Sequence, residues 1–314
     1  MDTSTHIVTG IGIAGLAHLD PSVSQLSLGL LTCTILGSNA PDFDFLMKYK
    51  SKEAYVKEHR GTSHSIPMVL CWALFISSIV AFISSVPFYS LFIWTLLAVV
   101  SHVIFDIFNI YGTQALRPFS DKWIALHLLP IFDPYIMGAH LLGICFWMYG
   151  FHPGVTFLIV YLIIALYILV RYVKYATIIS QLKKNTNEDI SFTLLPTVNM
   201  NKWSVIANKQ EQYSLGKYVY GSVTWSKVLP KPSEKNKVIK ASMKSRFISF
   251  IKKRSQYVHA KIVKKVDGYE VHWFDIRYQS KIDEPFIAVI HLDKQLNLIK
   301  SNLRHGLISA PVKT

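Results

Sequence analysis

From Ser65 to Phe105 the chain runs forty-one residues without a lysine, arginine, aspartate or glutamate. A stretch that long and apolar, interrupted by Ser84-Ser85-Val86-Pro87, reads as two successive membrane helices at about residues 66–86 and 88–108. Asp106 ends the silence, four residues after His102. An ionisable group at bilayer depth costs several kcal/mol unless it is paired, coordinated or facing water. The i, i+4 spacing sets the imidazole and the carboxylate on one helix face, where together they can grip one metal ion. A hydrogen-bonded structural pair between helices is the plainer alternative.

Two more apolar segments, about 135–149 and 154–170, read as spans three and four, the last stopping at Arg171. The third is short and would tilt or thin the bilayer. Residues 5–19 and 22–38, joined at Asp20-Pro21, read as two shorter helices whose glycines suit close packing. The expected fold is therefore an all-α multipass membrane domain, four transmembrane helices plus two shorter N-terminal ones, over residues 1–183. A small α+β cytoplasmic domain over 184–314 would follow.

Charge divides the chain at the same place. Up to Val170 there are 7 Lys+Arg against 9 Asp+Glu, and from Arg171 onward 26 against 10. Lys48, Lys50, Lys52, Lys57 and Arg60 lie in one loop and Arg117 and Lys122 in another, while the turns near Ser85 and Phe151 carry no Lys or Arg. The positive-inside rule puts both basic loops and the basic tail in the cytoplasm. Anionic lipid explains such a tail as well as nucleic acid does, and after a membrane span it is the favoured partner. Cys33, Cys71 and Cys145 sit in apolar stretches without a pairing pattern, so neither a disulfide framework nor a thiolate metal site is expected. Met1-Asp2-Thr3 lacks the basic flank of a cleaved signal peptide.

The remaining unusual residues fall at the cytoplasmic ends of these helices. Asn39-Ala40-Pro41-Asp42-Phe43-Asp44 sets two carboxylates on a turn, His59-Arg60-Gly61-Thr62-Ser63-His64-Ser65 precedes the first span, and His6 opens the first helix. Asp42 and Asp44 also read as ordinary turn residues, and His59 and His64 as interfacial polar groups. Their convergence favours a site. Imidazole nitrogen and carboxylate oxygen suit Zn²⁺, Mn²⁺ or Fe²⁺. Neighbouring ions of this kind clamp the attacking and leaving oxygens of a phosphoryl displacement and activate water. The candidate ligands are His6, Asp42, Asp44, His59, His64, His102 and Asp106. Arg60 and Arg117 are candidates for holding phosphate oxygens. His18, His127, His140 and His152 are read as satisfied or interfacial.

The string from Pro41-Asp42-Phe43-Asp44 through His59-Arg60-Gly61-Thr62-Ser63-His64-Ser65 to Ser101-His102, Asp106, Tyr111-Gly112-Thr113-Gln114 and Pro118-Phe119-Ser120 resembles the YdjM/DUF457 family. These are bacterial inner-membrane proteins described as metal-dependent hydrolases. Gly112-Thr113-Gln114 and Ile131-Phe132-Asp133-Pro134 resemble its YfhP-type branch. The resemblance covers roughly residues 1–135. It implies a distant likeness to zinc-dependent phospholipase C and P1-type nucleases, all-helical enzymes with a trinuclear zinc site in which a His-x-x-x-Asp pair supplies ligands. This chain shows no further His-x-x-x-Glu pair after Asp106 and no processing signal that would free an N-terminal ligand. One or two zinc ions are accordingly expected rather than three.

In the tail, residues 191–198, 203–207, 213–225, 257–266, 269–279, 286–292 and 296–301 read as strands, with Asp267-Gly268 as a hairpin turn and Asp293-Lys294 as a weaker one. Residues 238–254 read as one amphipathic helix, with Ile239, Met243, Phe247 and Ile251 on a face that covers the sheet or docks on anionic headgroups. Three functions compete. The first is a membrane-bound metal-dependent hydrolase of a phosphoester, such as a lipid-linked one. The second is a non-enzymatic metal-binding sensor or regulator acting through its basic domain. An ion transporter is the third and is disfavoured by the absence of an inverted repeat.

Overall fold

The computed structural model describes residues 1–23, 27–49, 55, 59–186, 189–278 and 288–303. The chain forms two compact units, one from Met1–Met47, Glu58–Ser180 and Leu195–Lys202, the other from Lys48–Lys57, Gln181–Leu194 and Trp203–Thr314.

In the first unit α1 spans Thr3–Leu16 and is started by Asp2, whose carboxylate accepts from Thr5 N at 3.1 Å. A 3₁₀ turn, Ala17–Leu19, completes the first expected helix. The second, α2, is confined to Leu28–Gly37, with Ser27 as its cap. Residues 24–26 of the expected segment lie outside the described residues, as do Lys50, Lys52 and Lys57 of the basic loop. Gly10 lets α1 and α2 close on each other, since a Cβ there would stand 2.8 Å from Ile35 Cα.

Helices α3 (Ile66–Ile83) and α4 (Phe88–Phe108) match the two spans expected from the charge-free stretch. Proline opens the first turn of α3, where its missing N–H costs nothing. Helix α5 covers Pro134–Met148 and is capped by Asp133, which accepts from Tyr135 N and Ile136 N. Its 15 residues reach about 22 Å, short of the roughly 30 Å hydrocarbon core. Among the described residues, three helices are long and apolar enough to cross a membrane: α3, α4 and α6 (Pro153–Lys184).

Helix α6 corrects the expected stop at Arg171. The guanidinium donates to Leu128 O at 2.6 Å, to Tyr167 Oη at 3.0 Å and to Thr197 O at 3.0 Å, with Asp133 Oδ2 3.9 Å away. The charge is fully buried and paired, so nothing forces the helix to end there, and it continues to Lys184.

The second unit holds two four-stranded sheets. The first, in the order β1-β2-β3-β4, uses Ser191–Pro196, Lys202–Asn208, Gln212–Val219 and Ser222–Pro230. The single strand expected at 213–225 is therefore a hairpin. It turns at Tyr220 and Gly221, which take φ of 46° and 101°.

The second sheet, β5-β6-β7-β8, uses Val258–Lys264, Gly268–Asp275, Ala288–Asp293 and Leu298–Leu303. Its first turn sits one residue earlier than expected, closed by Lys265 N donating to Gly268 O. Residues 279 and 286–287 of the expected strands lie outside the described residues.

The expected long helix is two: α7 (Lys237–Ser242), capped by Asn236, and α8 (Arg246–Arg254), capped by Ser245. The break between them leaves Ser242 Oγ accepting from Trp273 Nε1 at 3.0 Å. Ile239, Phe247, Ile248 and Ile251 pack on Val258, Val271, Trp273 and Ile290, so the helical face covers this sheet.

Candidate metal centre

The last two turns of α4 present His102 and Asp106, both wholly buried. His102 Nδ1 lies 2.7 Å from Ser38 O, a carbonyl just past the end of α2 and therefore free of its own helix. A carbonyl can only accept, so Nδ1 carries the proton and Nε2 keeps a lone pair. His64 ends the 3₁₀ turn Thr62–His64, with Nδ1 2.9 Å from Ser63 Oγ. That hydroxyl spends its one hydrogen on Asp44 Oδ2 at 2.9 Å, so it accepts from His64. His64 Nε2 is then also a lone pair. Burial pushes the His64 imidazole below its ordinary pKa, which favours the same neutral state.

These two lone pairs face each other at 3.2 Å. Asp106 Oδ2 is 3.2 Å from His64 Nε2 and 3.5 Å from His102 Nε2. Asp42 Oδ1, from the 3₁₀ segment Ala40–Tyr49, is 3.7 Å from each and is buried without a hydrogen-bond partner. Four acceptor atoms thus converge with no hydrogen among them. Such a group could hold a metal ion. A nitrogen and oxygen donor set of this kind suits a divalent cation, and each histidine's outer nitrogen is held by a second partner.

The other oxygen of Asp106 is engaged by three donors. Oδ1 is ion-paired with the buried α-amino group of Met1, accepts from Asn109 Nδ2 at 3.0 Å and lies 3.3 Å from Arg60 Nη2. Asn109 Oδ1 in turn accepts from Arg60 Nη1, Tyr111 N and Gly112 N at 3.2, 2.7 and 3.1 Å. Arg60 is buried, with its guanidinium 5.2 Å from the Tyr111 ring centroid. His6 lies beside this half of the carboxylate. Its Nε2 is 3.0 Å from the Met1 amine and 3.7 Å from Asp106 Oδ1, and its ring stacks on His102 at 3.8 Å between centroids.

Asp42 belongs to a second group as well, with Asp44 and His59. His59 Nδ1 is 2.8 Å from Asp44 Oδ1, and Arg60 N donates to Asp44 Oδ2 at 3.0 Å. Burial alone would raise the Asp44 pKa, but the His59 hydrogen bond and charge, with the Arg60 N–H, outweigh it and hold the carboxyl below its ordinary value. Arg117 stands apart, bound to Asp121 Oδ1 at 2.7 Å and Thr62 Oγ1 at 3.1 Å.

The structure therefore brings His64, His102, Asp106 and Asp42 to one point, places His6 against the opposite oxygen of Asp106, and groups Asp44 and His59 with Asp42. Sequence reasoning gave no role to Ser38, Ser63, Asn109 or the Met1 amine. Ser63 and Asn109 at least sit within the polar strings; a backbone carbonyl such as that of Ser38 leaves no signal. His18 is satisfied within its helix, with Nδ1 3.1 Å from both Ala14 O and Gly15 O.

A helical unit with three apolar helices of membrane-spanning length, and a buried His/Asp group able to hold a metal ion, defines a membrane protein with a candidate metal centre. The chain belongs to the YdjM inner membrane protein family, which it matches over residues 1–178. Residues 237–305 match the YfhP C-terminal alpha/beta plait domain, the part that forms α7, α8 and the second sheet. The uncharacterized protein YfhP of Bacillus subtilis (strain 168) is 38% identical over 310 residues, 96% of this chain and 94% of that protein. No solved structure matches the chain.

Proposed function

We propose that the chain is a membrane-bound, metal-dependent hydrolase acting on a phosphoester at the cytoplasmic membrane surface. The observation that carries this reading is the convergence of His64 Nε2, His102 Nε2, Asp106 Oδ2 and Asp42 Oδ1 with their hydrogens turned away. Four acceptors in contact repel one another, and a divalent cation relieves that repulsion. When bound, such an ion supplies Lewis acidity for a phosphoryl oxygen.

The chain's own groups divide the remaining work. His64, His102 and Asp106 would hold the ion from inside, while Asp42, 24% exposed, marks the side from which substrate arrives. Arg60 engages Asn109 and Asp106 with its two terminal nitrogens, so it steadies the ligand carboxylate rather than standing free for phosphate. Asp42, shared with Asp44 and His59, supports room for a second ion and hence for one or two in all. The basic loops flank the residues of this group in the sequence, which supports a cytoplasmic address for the site and for the C-terminal domain.

Metal analysis of the full chain purified without chelator tests the reading, together with phosphate release from a panel of phosphoesters. Zinc or manganese should copurify and be lost from His102→Ala and Asp106→Ala, with turnover lost in parallel. A protein that neither carries nor rebinds metal refutes the proposal. Retained metal without turnover across the panel favours a sensor or regulator instead.

A further inference from the structure

The basic helices α7 and α8 leave no apolar face for a membrane, because Ile239, Phe247, Ile248 and Ile251 are consumed by the core of the second sheet. The first sheet treats its apolar residues differently. Among the described residues its last strand, β4, pairs only with β3, and of its nine residues only Leu229 is buried. The register sets Gly216 opposite Trp225, Tyr218 opposite Val223 and Ser214 opposite Val228, so Tyr218, Val223, Trp225 and Val228 share one face. The Trp225 ring lies over Gly216, where a Cβ would meet it at 2.9 Å. Trp225 is nonetheless 47% exposed and Val228 56%.

The tip is more telling. Tyr220 takes a φ of 46° and is 69% exposed. Left-handed backbone suits glycine, asparagine or aspartate, and a bulky aromatic there is disfavoured. A strained, outward ring contributes nothing to the core, so its use is sought outside the fold. From Gln212 to Lys231 there is no aspartate or glutamate, while Lys217, Lys227 and Lys231 supply positive charge.

Tyrosine and tryptophan with flanking lysines, without acids, is the composition that settles at the headgroup level of a bilayer. The same chain carries helices of membrane-spanning length, so the hairpin is tethered near a bilayer at high effective concentration. We propose that the β3–β4 hairpin docks tip-first into the headgroup layer of an anionic membrane. Tyr220 leads, Trp225 and Val228 enter on one face, and Lys217 and Lys227 meet lipid phosphates on the other. The docking surface is independent of the metal centre.

The test uses the full chain in nanodiscs, with Cys33, Cys71 and Cys145 replaced by serine and one bimane label at Tyr220→Cys or, as a control on the other sheet, at Lys261→Cys. Discs contain brominated lipid, either with phosphatidylglycerol or with phosphatidylcholine alone. Bimane at position 220 should be quenched several-fold more than at 261 in the phosphatidylglycerol discs and little in the neutral ones. Lys217→Gln with Lys227→Gln, both exposed positions, should reduce that quenching by about an order of magnitude in docked population. Equal, low quenching at 220 and 261 in anionic discs overturns the proposal. Shielding at 220 that appears only in discs holding two copies assigns the face to a second copy and overturns it as well.

Discussion

Ser63→Ala perturbs the metal centre without removing a ligand. Ser63 Oγ is the acceptor that keeps the proton of His64 on Nδ1, at 2.9 Å, because its own hydrogen is given to Asp44. Without that acceptor a buried N–H is left unpaired, and the imidazole gains by moving its proton to Nε2. There Asp106 Oδ2, 3.2 Å away, accepts it. The new tautomer points a hydrogen where the cation would bind, so the ion must first reverse it. Loss of an outer partner of a ligating histidine costs about 10–100-fold in affinity, which corresponds to about 1.4–2.7 kcal/mol. Asp44 keeps His59 and Arg60 N as partners, so the fold should change little. Zinc competition against a chromophoric chelator, with the full chain in detergent, measures the effect, and Ser63→Thr should restore most of it. An alanine variant within twofold of the parent would refute the tautomer argument and with it half of the converging-acceptor case.

Other outcomes follow from the same contacts. Because burial pushes His64 below its ordinary pKa, protons compete with metal there only below about pH 6.5. Zinc occupancy should be flat from about pH 8 to 6.5 and fall at lower pH, and a midpoint above neutrality would contradict the assignment. Arg171→Met should destabilise the helical unit by about 3–5 kcal/mol, because Asp133 is left buried without its cation. The readout is the melting temperature in detergent, and an unchanged value would show that the pairing carries no weight. Arg171→Lys should not rescue it, since one ammonium cannot serve the three acceptors that the planar fork reaches.

What could be read from the sequence follows from which physical costs leave a mark on residue type. A carboxylate in an apolar helix is costly enough that His102 and Asp106 declare themselves, and the strings around Asp42 and His64 stand out for the same reason. The contacts that decide their protonation run partly through a backbone carbonyl, Ser38 O, and an amino terminus, Met1, which no composition marks. Arg171 misled because charge ordinarily ends a span; here three acceptors from separate segments meet it inside. In the tail, alternating β-branched and aromatic residues run straight through Tyr220, a residue that turns rarely choose, so the hairpin was hidden within one apparent strand. The long amphipathic helix failed for a related reason. Its apolar period is continuous across Ser242 to Ser245, and only the capping hydroxyl of Ser245 marks the break.

Of the four groups that meet at the candidate centre, Asp42 alone is partly exposed, at 24% against 0% for His64, His102 and Asp106. It is also the carboxylate common to both ligand groups. An ion seated there would therefore enter and leave past one solvent-facing side chain, whose rotation is fast, without opening of the helices. The three buried ligands His64, His102 and Asp106 would then set how long it stays, and Asp42→Asn should weaken the hold on every ion that enters without slowing its entry.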